Sequence, residues 1–244
     1  RYRILGVIDP QFAGRDAGEL LDGTNRQIPV FASLSALIEA TGDPPDVCVV
    51  GVATVGGVLP PAIRGALLDA ASRGMTLVNG LHQLLTEDRE LAGMVRSSGG
   101  EIIDIRRPKP IDELRFWSGE VLSIETPRVA VLGTDCAVGK RTTAALIWQE
   151  LRARGFRAEL IYTGQTGWLQ GLRYGFIFDA TPNDFVCGEL ERAILACHRE
   201  TDPDIILLEG QSGLRNPSGP CGAELILSGA SRGVVLQHAP GRQF

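Results

Sequence analysis

The sequence predicts an α/β protein of two parallel-sheet domains, a Rossmann-like domain over residues 1–125 followed by a second domain over residues 126–244. Three observations carry that expectation. Apolar, strand-like runs alternate with amphipathic helical stretches along the first half, the order expected where helices cover a parallel sheet. A proline-bearing stretch, residues 106–126, interrupts the alternation and reads as a connector, with the boundary near residue 125. Beyond it the alternation restarts, and an apolar strand runs directly into GTDCAVGKRTT, residues 133–143, a glycine loop that opens a helix.

In the first half the clearest strands are residues 3–8, 47–52, 75–78 and 101–105. Residues 60–72 suit a helix, with Ile63, Leu67 and Leu68 on one side, Ala70 and Ala71 behind, prolines at its start and Gly74 at its end. No G-x-G-x-x-G fingerprint is present. The glycine cluster GVATVGG, residues 51–57, has the wrong spacing and no acidic ribose clamp, so it reads as tight turns at a strand end.

In the second half residues 129–132, 158–162, 204–208 and 233–236 read as strands. The unbroken apolar run at Ile205, Ile206, Leu207 and Leu208 marks a central strand covered on both faces. Ala144, Ile147, Trp148 and Leu151 share one face of the helix after the glycine loop. A second helix, residues 182–199, buries Val186, Leu190, Ala193, Ile194 and Cys197, and TPND at 181–184 suggests a capping box from Thr181 to Asp184.

Composition narrows the function classes. At 244 residues with 44% hydrophobic and 22% charged side chains, the chain has the make-up of a globular protein. A net charge of -5 argues against a broad nucleic-acid face, which needs clustered Lys and Arg. No apolar run approaches the roughly 20 residues of a membrane span, and no leader is evident, so cytoplasmic residence is expected. The 5 cysteines include no C-x-x-C pair, which leaves no disulfide framework and no metal cluster to expect. The start at Arg1 and the stop at Phe244 after a strand-like run read as a trimmed product.

Ligands of open α/β sheets bind outside the carboxyl ends of the strands. Here those ends carry GTDCAVGKRTT, TGQTGWLQG (163–171), EGQSGLRNPSGP (209–220) and QHAPGR (237–242), all rich in glycine and polar groups. The first is a phosphate loop in its proper strand-loop-helix setting, which makes the second domain P-loop NTPase-like. Gly133, Thr134, Val138, Gly139, Lys140, Arg141, Thr142 and Thr143 form its cradle. Backbone N–H groups and the helix start supply an anion site, and Lys140 a full positive charge.

The loop departs from G-x-x-x-x-G-K-[ST] twice. Thr134 stands where the first glycine would be, and Arg141 stands where a hydroxyl would bind magnesium. Thr142 lies one residue on, about 100° around the helix, and cannot take over that place without a local change. A second cation about 4 Å from a phosphate oxygen contributes on the order of 4 kcal/mol at an effective dielectric of 20, before desolvation. Arg141 can therefore partly replace a metal.

Asp135, Glu209 and His238 are the candidate proton acceptors. Glu209 ends the central strand as a base or magnesium carboxylate would, with loop capping as the alternative. Arg173, Arg215 and Arg242 are candidates to hold a substrate carboxylate, and Gln165 and Trp168 to wall the pocket. Cys136, near the helix start, reads as small packing.

GTDCAVGKRTT, YTGQTGWLQG, FIFDATPNDFVCGELE, LEGQSGLRNPSGP and LQHAPGR together resemble the two-domain bacterial family, long labelled a domain of unknown function, that includes D-glutamate N-acetyltransferase. VVGVATVGG and GMTLVNGLHQLL extend the likeness into the first half. The resemblance implies a Rossmann-like domain, a P-loop domain, and acetyl-CoA as acyl donor in the member of known activity. GTD-x-x-VGK and the E-G after the central strand are also, more distantly, similar to dethiobiotin synthetase, which uses ATP and magnesium and has threonine after the lysine.

The expected function is accordingly an N-acetyltransferase moving an acetyl group from acetyl-CoA to the amino group of an acidic amino acid, D-glutamate by resemblance. The alternatives are an ATP- and magnesium-dependent ligase or kinase, and a non-catalytic nucleotide-binding protein. The expected partners are a small amino-acid substrate and further copies of the chain, with neither nucleic acid nor membrane.

Overall fold

A computed structural model describes residues 2–217, 219 and 221–241. The chain divides into two compact units, Arg1–Arg107 and Pro108–Phe244.

The first unit runs β1 (Val7–Ile8), α1 (Ala17–Asp22), β2 (Val30–Phe31), α2 (Leu34–Thr41), β3 (Val47–Val49), α3 (Pro61–Ser72), β4 (Thr76–Asn79), α4 (Arg89–Ser98) and β5 (Ile102–Asp104). Its sheet has the order β3-β4-β5, all parallel, and β1 pairs with β2 as a separate parallel ribbon. Leu67, Ala70 and Ala71 of α3 and Leu91 and Val95 of α4 pack with Leu77 of β4 in one core. α3 starts with proline in its first turn, as expected. The strand expected over residues 3–8 is reduced to the two residues, Val7 and Ile8, that pair with Val30 and Phe31 of β2. α4 was not anticipated, although Asp88 caps it by accepting from Glu90 N and Leu91 N, and Gly99 ends it in the left-handed region.

The second unit runs β6 (Arg128–Gly133), α5 (Lys140–Ala153), β7 (Ala158–Ile161), α6 (Gln165–Leu169), α7 (Asn183–Thr201), β8 (Ile205–Glu209), α8 (Ala223–Leu227) and β9 (Gly233–Gln237). The strands are parallel in the order β7-β8-β6-β9. Alternation along the central strands sorts the core. Leu132, Ile206 and Leu208 pack with Leu190, Ile194 and Cys197 of α7, whereas Val131, Leu160 and Leu207 pack with Ala144 of α5. Ile147, Trp148 and Leu151 flank the second cluster, as the helical spacing predicts.

The units divide between Arg107 and Pro108, ahead of the boundary near residue 125 that the prolines suggested. The reason lies on α7. Glu191 is buried and accepts from Ser118 N, Ser118 Oγ and Val121 N, and Glu189, also buried, pairs with Lys109. At Gly188 a Cβ would lie 1.8 Å from Arg115 O, so only glycine admits the strap backbone there. The proline stretch is thus a strap on the second unit. The capping box fails: Thr181 Oγ1 donates to Ile177 O at 2.8 Å, and Pro182 occupies the cap position with no side-chain cap bond. Among the described residues no helix is long and apolar enough to cross a membrane.

Candidate phosphate-binding site

β6 and β8 lie side by side at the centre of the sheet, so the loops that leave Gly133 and Glu209 meet at one edge. Gly133 leaves room for the loop there: a Cβ would fall 2.7 Å from Val138 Cγ2 and 2.9 Å from Lys140 Cγ and Cδ, so those side chains would have to shift. Ala137 (φ 51) and Gly139 (φ 99) take left-handed conformations and bend the loop onto the start of α5. The first N–H groups of that helix have no helical acceptors and carry its positive dipole end.

Lys140 is 7% exposed. Its Nζ donates to Asp135 O at 2.8 Å and also to Ser212 O, tying the phosphate loop to the loop after β8. Burial lowers its pKa from the ordinary lysine value, against the opposing pull of Cys136, Cys221, Asp135 and Glu209. An anion arriving at the cradle would restore what burial removes, because a nearby negative charge favours the ammonium form.

Arg141 extends across the edge. Nη1 donates to Glu209 Oε1 at 3.1 Å, and Nη2 donates to Gln170 Oε1 at 2.6 Å. Glu209 is 5% exposed; its other oxygen accepts from Thr163 N at 3.3 Å, and its backbone carbonyl accepts from Thr163 Oγ1 at 2.8 Å. Burial raises the Glu209 pKa, while Arg141, the Thr163 amide and Lys140 pull it back.

The end of β9 braces the other side of the loop. Thr134 N donates to Gln237 O at 3.0 Å, Thr143 Oγ1 donates to Gln237 Oε1 at 2.8 Å, and Thr134 Oγ1 lies 3.1 Å from Nδ1 of the exposed His238. From the loop after β8, Leu214 N donates to Gly133 O and Asn216 Nδ2 to Asp135 Oδ1 at 3.3 Å. Gly213 makes that contact possible, since a Cβ there would stand 2.4 Å from Asp135 Cα.

The structure therefore gathers the cradle residues Gly133 to Thr143 with Asp135, Glu209 and His238. Thr142 is exposed on the helix surface. Arg215 joins through its backbone, N to Thr134 O at 3.3 Å, with an exposed side chain. Gln165 and Trp168 lie on α6, whose leading Gly164 abuts Gln211. Arg173 is not brought to the cradle: it pairs with Glu200 near the end of α7 and stacks on Tyr174. Arg242 lies outside the described residues.

Sequence reasoning missed Gln170, Thr163 and Gln211, the last donating through Nε2 to Thr163 O at 2.9 Å. The signal was their place in the edge loops, where short polar side chains recur after each strand.

Fold and site together define a protein with a P-loop anion cradle on a parallel sheet, preceded by a Rossmann-like unit. The chain belongs to the family described as a domain of unknown function, DUF1611, matching its Rossmann-like domain over residues 10–108 and its P-loop domain over residues 115–244. It is 31% identical over 195 residues to a D-glutamate N-acetyltransferase of Tritonibacter scottomollicae, covering 80% of this chain and 56% of that protein. It is 32% identical over 196 residues to one of a Pseudoalteromonas species, with the same coverage. The chain thus spans about half the length of these curated relatives. A crystal structure of a DUF1611 family protein from Anabaena variabilis superposes with a TM-score of 0.85 at 33% identity, covering 97% of this chain and 66% of that one.

Proposed function

We propose that this protein is an N-acetyltransferase that uses acetyl-CoA and acetylates the amino group of an acidic amino acid, D-glutamate being the favoured acceptor. The observation that carries the reading is the paired cation, Lys140 and Arg141, at the start of α5 beside a strand-end carboxylate already engaged by Arg141. Such a cradle suits phosphates that are held rather than transferred. The names of the two curated relatives support the transferred acetyl group and the acceptor.

In this reading Lys140, Arg141 and the loop amides hold the CoA phosphates. Acetyl-CoA supplies a thioester carbonyl. The acceptor amine forms the new C–N bond as the C–S bond breaks, the ammonium proton leaves to a base, and the thiol departs. His238 is the best placed base: it is exposed at the edge, and Thr134 engages Nδ1, which leaves Nε2 for proton exchange. Asp135 and Glu209 are bonded within the site and serve its shape. Backbone N–H groups of the glycine loops stabilise the developing oxyanion. Arg215 is the remaining described candidate for the acceptor carboxylates.

Incubation with acetyl-CoA and a panel of D- and L-amino acids, followed by free thiol, tests the proposal. Thiol release with an acidic amino acid is expected. Release no greater than the acceptor-free background across the panel would remove it. The ligase reading is favoured by the GTD-x-x-VGK loop alone and predicts ATP turnover instead.

A further inference from the structure

Phosphate loops of the G-x-x-x-x-G-K-[ST] type hold magnesium through the hydroxyl after the lysine and a strand-end acid. The residues here do not fit that ion. The place after Lys140 is Arg141, whose guanidinium donates to Glu209 at 3.1 Å and to Gln170 at 2.6 Å. Glu209 is buried, and its second oxygen accepts from Thr163 N. A divalent cation at Glu209 would have to displace the guanidinium or share the carboxylate with it, cation against cation. Thr142, the next hydroxyl, is exposed and about 100° further round the helix.

We propose that Arg141 is the site's own substitute for magnesium: a guanidinium fixed by Glu209 and Gln170 that makes phosphate binding metal-independent and selects against magnesium nucleotides. The inference rests on the phosphate-carrier reading above and names what sets its specificity. Glu209 and Gln170 are positioning residues. They engage one N–H from each end of the fork and leave the remaining donors for phosphate oxygens. Lys140, in contrast, is a point charge tied to two backbone carbonyls.

The test is calorimetric titration of the protein with CoA, ATP and pyrophosphate, each in EDTA and in excess magnesium. The wild type is expected to bind CoA with Kd unchanged within about twofold between the two conditions. Arg141→Thr, which restores the hydroxyl and releases Glu209, is expected to weaken CoA at least tenfold in EDTA and to gain at least tenfold in ATP affinity on adding magnesium. Should that variant fold poorly, Gln170→Leu supplies the second arm, with weakened CoA binding in EDTA and an unchanged melting curve. Wild-type binding that disappears in EDTA would overturn the inference, as would Arg141→Thr and Gln170→Leu both binding CoA like the wild type. So would binding of none of the three probes. Metal-independent CoA binding without thiol release for any amino acid would sustain this inference while the acetyltransferase reading falls.

Discussion

Arg141 Nη1 and Glu209 Oε1 lie 3.1 Å apart, joining the first turn of α5 to the end of β8. The side chains are 23% and 6% exposed, so the pair is shielded on the carboxylate side and partly open on the guanidinium side. Removing one partner of a buried pair is more harmful than removing both, because a charge is left without its counterion. Arg141→Ala is therefore expected to cost about 1–3 kcal/mol, discounted for that exposure, with part of it recovered in Arg141→Ala/Glu209→Gln. Urea denaturation of the single and double variants checks this. A double variant as unstable as the sum of the singles would contradict it.

The same carboxylate sets a pH dependence. Burial holds the Glu209 pKa above its ordinary 4.5, so the folded chain binds that proton more tightly than the unfolded one. The resulting stability is complete below 4.5 and declines as pH rises through the raised folded value. Melting temperature against pH should fall across that window in the wild type, relative to Glu209→Gln. Parallel profiles would show that Glu209 does not carry the effect.

For Lys140 the sign is reversed. Its folded pKa lies below 10.5, so the ammonium form that attracts anions is lost at lower pH than in a free lysine. CoA affinity should therefore decline with rising pH before 10.5 is reached, and CoA binding should take up protons at alkaline pH. Titrations in buffers of different ionisation enthalpy measure that uptake, and its absence would contradict the assignment.

Thiol chemistry separates the loop from the core. Burial pushes Cys197 up to about 12 and Cys221 up to about 11, so each is thiolate to only about a thousandth or less at pH 8. Cys136 is exposed in the phosphate loop. It is expected to react with iodoacetamide ahead of those two and to be protected by CoA, as peptide mass spectrometry would show. Labelling of Cys136 indifferent to CoA would place the ligand elsewhere.

Gly213→Ala puts a methyl 2.4 Å from Asp135 Cα, against backbone that cannot rotate aside. The loop after β8 must then withdraw from the phosphate loop. A loss of about 1–3 kcal/mol in stability is expected, together with weaker CoA binding. Unfolding curves and CoA titration at wild-type level would show that the two loops do not depend on each other.

Much of this was legible in the sequence because its signals are local. The run Ile205 to Leu208 declares a strand covered on both faces, and the spacing of Ala144, Ile147 and Leu151 declares the face of α5. GTDCAVGKRTT fixes its own strand-loop-helix setting. What escaped were contacts between residues far apart in sequence. Nothing near Arg141 announces Glu209 or Gln170 as its acceptors. Arg173 sits in an edge loop by position, yet Glu200, at the other end of a long helix, takes its side chain. Pro108 and Pro110 suggested a free connector because the glutamates that bind the strap arrive only with α7.

The most direct measurement is product analysis of acetyl-CoA and D-glutamate incubated with the protein in EDTA, alongside Lys140→Ala. The account predicts N-acetylglutamate in equal amount to released CoA thiol, undiminished by EDTA, with kcat/KM for acetyl-CoA at least tenfold lower in the variant. Absence of N-acetylglutamate, or a Lys140→Ala variant as efficient as the wild type, would contradict it.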